Sequence, residues 1–354
     1  MTSKERVLAA FARTEPDRVP INFASNPGVD RGLAEHFGCE VGELLEVLDI
    51  DFRSTGAPYT GPVLHTIDND DWIVDGQWGI RRRFIENPSG GYWDFCDFPM
   101  KDGEEELVRN WPMPSPDDYD YGCVANHCRA VSDKAVYVGG AGLGDIINNS
   151  GMLWTMEETL VRMMMKDELF LHFVDRRGAV GLEVTRRCIE AADGGVDFVW
   201  IGEDLGTQEG AMIGLDLFRE VIRPRMQQLV DLAKSFDLPV IIHSCGSSSW
   251  AFDDFVEMGI DVVDTLQPEA ANMAPEYLKE RWGDKLAFHG CISTAGPVAY
   301  GTVQDVIDDC REKLESMKPG GGYCFAPTHQ LQENSPTENV VAMYDAAREF
   351  GGYL

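Results

Sequence analysis

The sequence predicts an α/β fold: a (β/α)8 TIM barrel with an N-terminal helical and hairpin elaboration, in a single domain over residues 1–354. Three observations predict it. Short apolar runs bounded by glycine, proline and polar residues recur along the chain. Helical patterns separate most of them, which implies parallel strands joined by crossovers. The runs number eight, and eight parallel strands close on themselves with their working face at the C-terminal ends. The competing reading, an open doubly wound sheet, lacks a G-x-G-x-x-G turn after its first strand.

Taken in order, Thr2-x-x-Glu5 is a capping-box pattern that opens a short helix through Phe11. Val19–Phe23 reads as the first strand and Leu48–Phe52 as the second. Arg81–Glu86 and Tyr92–Phe98 flank Asn87-Pro88-Ser89-Gly90-Gly91, which predicts a β-hairpin insertion over 81–98, outside the barrel. Pro112, Pro114 and Pro116 break the chain. The remaining strands are Ala135–Gly139, Val196–Ile201, Pro239–Ile242, Asp261–Leu266, Leu286–His289 and Gly322–Ala326. Helices begin at Thr155-x-x-Glu158 and lie within Leu215–Phe236, Thr302–Met317 and Pro336–Phe350.

Composition narrows the function. The chain is 44% hydrophobic and 25% charged, as globular proteins are. Sixty acidic residues against thirty basic ones give a net charge of −30, which repels phosphate backbones and argues against nucleic acid. No apolar run reaches membrane-spanning length, so no membrane partner is expected. The polar, helical N-terminus carries no signal-peptide core, so a cytoplasmic location is expected. Nine cysteines in such a chain suit thiols or metal ligands better than a disulfide framework.

In a barrel, the informative residues follow the strands. His243 and Cys245 are two apart, so extended backbone points both to one face, and Gly246 permits a sharp turn. An imidazole beside a thiolate suits Zn²⁺; the bland reading is a buried thiol next to a hydrogen-bonded histidine. His329, past the last strand, is the candidate third ligand, leaving a fourth position for substrate. Cys291, in a second H-x-C at His289-Gly290-Cys291, is the rival, and Cys324 reads as a small core residue. Cys123 to Cys128, which enclose His127, read as chance clustering. Glu203 and Asp204 are candidate catalytic carboxylates, framed by Gly202 and Gly206; their bland reading is a solvated loop or helix cap. Gln267 is a candidate donor into the mouth, while Asn22 and Arg53 are candidate cofactor-binding residues.

Several segments together resemble the uroporphyrinogen decarboxylase superfamily over nearly the whole length. They are Thr2-Ser3-Lys4-Glu5-Arg6-Val7-Leu8, Glu15-Pro16-Asp17-Arg18-Val19-Pro20, His243-Ser244-Cys245-Gly246, Met258-Gly259-Ile260-Asp261, Phe288-His289-Gly290, His329-Gln330-Leu331-Gln332 and Pro336-Thr337-Glu338-Asn339. The resemblance implies a barrel and one of two activities. The decarboxylases bind a polycarboxylate through the arginines of an R-Q-A-G-R segment. Here Asn22-Phe23-Ala24-Ser25-Asn26-Pro27-Gly28-Val29-Asp30-Arg31 follows the first strand, without that arginine pair. The corrinoid-linked methyltransferase branch holds zinc with H-x-C and a distant cysteine. His243 and Cys245 match the first two ligands, and His329 stands where the third would be. The resemblance therefore implies a zinc-dependent methyltransferase with a corrinoid (cobalamin) supplied by a corrinoid-binding partner protein and a small-molecule methyl donor or acceptor. Its alternative is a metal-independent decarboxylase of a smaller carboxylic acid.

Overall fold

The computed structural model describes residues 1–87, 90–103 and 105–353. Seven strands form one curled parallel sheet in the order β1 (Phe52–Thr55), β5 (Ala135–Gly139), β6 (Phe198–Gly202), β7 (Val240–His243), β8 (Val262–Thr265), β9 (Ala287–Ile292) and β10 (Tyr323–Pro327). Every neighbouring pair is parallel.

The eighth stave is the segment Val19–Phe23. Ile21 bridges Phe325 in parallel, Asn22 N–H donates to Phe325 O at 2.9 Å, and Phe325 N–H donates to Pro20 O at 2.8 Å. On its other side Asp51 N–H donates to Ile21 O at 3.0 Å. The segment closes the barrel without being a regular strand, because Pro20 has no N–H to give a ladder. The second stave also starts later than the sequence suggests. Leu48 caps a short helix, and the strand begins at Phe52.

Alternation along the staves sorts the side chains. Phe52, Ala135, Phe198, Trp200, Ile241, Val262, Ala287 and Cys324 point inward and are joined by Val7, Ala10 and Phe11 of the N-terminal helix. That helix, Ser3–Phe11, plugs the lower end; the Phe11 ring meets Phe198 edge-on at 5.1 Å. Both capping-box hydrogen bonds of Thr2 and Glu5 are present. The Asp17-Arg18 pair belongs to the same plug. Asp51, fully buried, accepts from Arg6 at 2.6 Å, from Arg18 at 2.7 Å and from Ile21 N–H at 2.7 Å. A buried carboxylate needs such partners, so this motif is architectural.

Two helices depart from their sequence patterns. The helix begun at Thr155 ends at Met164, and Asp167 caps a new one, Glu168–Ala191. The pattern over 215–236 contains a π-turn at Phe218–Ile222 before helix Arg223–Ser235. Pro224 cannot donate the helical bond there, so the preceding turn widens.

The hairpin is present as β3 (Arg81–Asn87) and β4 (Gly90–Asp97), joined by β2 (Trp72–Val74) into a separate antiparallel sheet. Pro88 and Ser89 of its turn lie outside the described residues. This insertion lies between β1 and β5, so it leaves the barrel from the C-terminal, mouth side. Among the described residues, no helix is long and apolar enough to cross a membrane.

Candidate metal centre

β7 delivers His243 at its last position, and the chain turns immediately at Ser244-Cys245-Gly246. Gly246 has φ +71°, and a Cβ there would lie 2.4 Å from Gly206 O. A Cβ on Gly206 would in turn lie 2.3 Å from Ser247 N. The two loops following β6 and β7 therefore touch backbone to backbone, which only glycine permits. Gly246→Ala should cost about 1–2 kcal/mol for the left-handed backbone alone and force the loops apart. Thermal melting with metal titration would check this: the barrel should still fold while the loops lose their register.

That contact brings three donor atoms together. His243 Nε2 lies 3.2 Å from Cys245 Sγ and 3.8 Å from Asp204 Oδ1. All three ligand atoms lie within 4.8 Å of one another, the one such grouping among the described residues. Asp204 is fixed from both sides. Its Oδ1 accepts from Cys245 N–H at 2.8 Å and its Oδ2 from the Asn148 amide at 2.8 Å.

The imidazole is fixed from behind. His243 Nδ1–H donates to Asp264 Oδ2 at 2.6 Å, which leaves Nε2 for a ligand. The other oxygen of Asp264 accepts from His289 Nδ1 at 2.6 Å. His289 Nε2 accepts from the Asn22 amide at 3.0 Å, whose orientation is set because its Oδ1 accepts from Phe23 N–H at 2.8 Å. Burial opposes the charge on Asp264, yet the two histidines outweigh it and hold its pKa down at about 2. Burial likewise disfavours the His243 imidazolium, but the hydrogen bond and charge of Asp264 raise its pKa well above the usual value. Burial pushes the Cys245 thiol up, against the lowering effect of His243.

The remaining candidates fall in other places. Glu203 is fully buried and accepts from Ile146 N–H at 2.8 Å and Ile147 N–H at 3.0 Å. It anchors the loop after β5 and does not face a substrate. Burial and the nearby Asp145 charge raise its pKa well above the carboxylate range. Asp145, in that loop, is raised to about 7 by burial and by Asp204. Gln267 Oε1 accepts from Gly246 N–H at 2.6 Å and steadies the turn. Asn22 orients His289, as above. Arg53 is buried against the lower wall, donating to Ile50 O at 2.9 Å and Phe52 O at 2.7 Å, so it does not reach the mouth. Cys291 is fully buried in the core, outside the grouping. The pair Cys123 and Cys128 also lies outside it, and His127 Nδ1 meets the Thr55 hydroxyl at 3.2 Å.

His329 stands exposed, two residues past β10, outside the three-atom grouping. Desolvation and the charge of His243 lower its pKa. The third atom of the grouping is Asp204 Oδ1, which the glycine contact brings in by carrying the β6 loop onto the β7 loop.

Asp264, Asp145 and Asn148 surround the grouping, and the motif reading misses them. A signal existed for the first. An acid inside the apolar run Val262-Val263-Asp264-Thr265 needs a buried partner. The other two follow the glycine-rich stretch Gly139-Gly140-Ala141-Gly142-Leu143-Gly144.

Residues 108–350, more than half of the chain, match the uroporphyrinogen decarboxylase (URO-D) family. The chain belongs to that family. Among solved structures, this URO-D family member is similar to a methyltransferase from Methanosarcina mazei. The two share 18% identity and a TM-score of 0.67, over 99% of this chain and 99% of that one. At that identity the likeness speaks for the fold. No curated protein matches the chain significantly.

Proposed function

We propose that this URO-D family member is a zinc-dependent methyltransferase that works with a corrinoid carried by a separate protein. The observation that carries the reading is the convergence of His243 Nε2, Cys245 Sγ and Asp204 Oδ1 at the barrel mouth, with His243 Nδ1 tied to Asp264. Nitrogen, thiolate and carboxylate ligands with a histidine–carboxylate pair behind them are what zinc takes in open, catalytic sites. The donor set therefore fits the ion. The Methanosarcina mazei protein, named a methyltransferase, has the same fold over its full length and supports the same reading.

Bound there, zinc would lower the pKa of a small thiol, or polarise the methyl-bearing atom of a donor. The chain's own residues do the rest. Asp264 holds His243 in one tautomer and orientation. Asn148 and the Cys245 backbone aim Asp204. Glu203 holds the start of the helix Ile147–Trp154 that carries Asn148. His329, its pKa lowered, presents an uncharged imidazole at the lip. The mouth gathers carboxylates, and Arg53 points away from it, so a polycarboxylate finds no bidentate partner among these residues.

Metal uptake must displace protons from His243 and Cys245, whose pKa values are both raised. Affinity for Zn²⁺ should therefore weaken as pH falls and climb through neutrality, with release of up to about two protons per ion. Calorimetry in buffers of different ionisation enthalpy measures this directly. The reading itself is tested by metal analysis of protein purified without added zinc, followed by methyl transfer between methylcobalamin and small thiols. About one zinc per chain and metal-dependent turnover support it. Failure to take up zinc when it is supplied sinks it, and CO₂ release from carboxylic acids becomes the assay.

A further inference from the structure

The antiparallel insertion and the metal centre share a support. The turn that joins β2 to β3 carries Trp78. Asp75 Oδ1 accepts from Gln77 N–H at 2.8 Å and from Trp78 N–H at 3.3 Å, and Trp111 Nε1–H donates to Trp78 O at 3.1 Å. The turn is therefore fixed, and with it the Trp78 ring. Over that ring, 4.2 Å from its centre, lies the guanidinium of Arg177 from helix Glu168–Ala191. Burial lowers the Arg177 pKa to about 10, against the attraction of Asp75 and Asp145, so the group stays charged at neutral pH.

Arg177 Nη2 donates to Asn149 Oδ1 at 3.0 Å. A guanidinium has no acceptor, so only the oxygen of the amide can face it. The Asn149 nitrogen is thereby aimed the other way, where it donates to Gly142 O at 2.9 Å and to Asp145 O at 2.7 Å. Both carbonyls belong to the loop after β5, Gly139-Gly140-Ala141-Gly142-Leu143-Gly144-Asp145. A loop so rich in glycine has little stiffness of its own. Hydrogen bonds from outside it decide where Asp145 sits.

Asp145 in turn governs Asn148. Its Oδ1 accepts from Asn148 N–H at 2.7 Å and its Oδ2 from the Asn148 amide at 2.8 Å. The same amide nitrogen donates to Asp204 Oδ2 at 2.8 Å. One NH2 group has two hydrogens, and here each goes to a different carboxylate. Moving Asp145 therefore turns the Asn148 amide and releases Asp204. From Arg177 to Asp204, every hydrogen bond in the series is 3.0 Å or shorter.

We infer that Arg177 and Asn149 are positioning residues of the metal centre: held against Trp78 of the insertion, they set the loop that aims Asp204. The insertion, which gives no atom to the three-atom grouping, is thereby part of its support. The inference rests on the metal reading above and adds to it residues that touch neither metal nor substrate.

The test is zinc affinity of the full chain, by competition with a chromophoric chelator, together with the visible spectrum of the Co²⁺-loaded protein. Arg177→Met, which keeps the apolar stem and loses the donors, should bind zinc about tenfold more weakly. Arg177→Lys can still donate to Asn149 and should recover most of that affinity. Asn149 is only half-buried, so Asn149→Ala should fold, and it should lose as much as Arg177→Met. The double variant should be no weaker than either single one, because both act through one amide. The Co²⁺ bands should shift in all but the lysine variant, since a carboxylate beside the ion has moved. Arg225→Met breaks an ion pair to Asp175 on the same helix and should keep the parent's zinc affinity and Co²⁺ spectrum whatever its melting temperature. Parental affinity and spectrum in Arg177→Met and Asn149→Ala, or losses that add in the double variant, would overturn the inference and leave the metal reading standing. A parent chain that takes up neither ion would overturn the metal reading and this inference with it.

Discussion

Cys245→Ala should be recovered folded, with less than about a tenth of the parent's zinc and with methyl transfer reduced about a thousandfold. The argument is geometric. His243 and Asp204 alone offer two donors from different loops, and Cys245 supplies both a sulfur ligand and the backbone N–H that aims Asp204. Alanine keeps that N–H, so the loop stays in place and the loss reads out the thiolate alone. Burial is no obstacle to the substitution, because Cys245 is only partly buried at the mouth. Metal analysis beside a thermal melt separates loss of the ligand from loss of fold. A variant that kept its zinc would place the metal elsewhere and remove the basis of the proposed activity.

Asp264→Asn is the second large effect, and it acts through residues that touch no substrate. One carboxylate serves two imidazoles, at 2.6 Å on each oxygen. An amide can accept from only one of them and presents N–H groups to the other, so one histidine must change tautomer or turn away. If His243 changes tautomer, its Nε2 carries the proton and cannot face a metal. Zinc affinity should fall about 10–100-fold, as it does when such an outer partner is lost. Stability should fall by about 3 kcal/mol, the cost of breaking a buried ionic network. The pH dependence gives a sharper signature. The folded-state pKa of Asp264 lies at about 2, below its ordinary value. The stability it contributes is thus present above the ordinary carboxylate pKa of about 4 and lost as pH falls through the folded value. Denaturant midpoints between about pH 4 and pH 2 should drop more steeply for the parent than for Asp264→Asn.

How much of this was legible beforehand depends on what each residue answers to. The six strands from Ala135 onward follow from local apolar runs, and the structure places each within a few residues of its sequence reading. The first two staves were harder. Val19–Phe23 pairs through only a few bonds, and the true strand at Phe52–Thr55 contains Arg53 and the exposed Ser54, which mask its period. His243 and Cys245 were readable because their spacing is local. Asp204 was visible as an acid, but its place beside the thiol depends on Gly206 meeting Gly246, a contact across forty residues of chain. Glu203 stood next to it and looked equivalent. Along a turning chain, neighbours face opposite ways, and Glu203 was taken inward by the Ile146 and Ile147 amides. His329 stands at the strand end its sequence position indicates, exposed and outside the three-atom grouping.

The barrel's closure at Val19–Phe23 makes it a slotted cylinder, and a slot is where a cylinder breathes. Regular staves share a continuous ladder, whereas this one is held by a few bonds and by the Asp51 network below it. Transient opening should begin there, before any other stave parts, and the amides of Ile21 and Asn22 should exchange with solvent ahead of those in β6 or β7. Asn22 is also the outermost link of the chain that runs through His289 and Asp264 to His243. Each excursion of the slot therefore loosens the far end of the metal centre's support. Rigidity at the seam and rigidity around His243 are set by the same few hydrogen bonds.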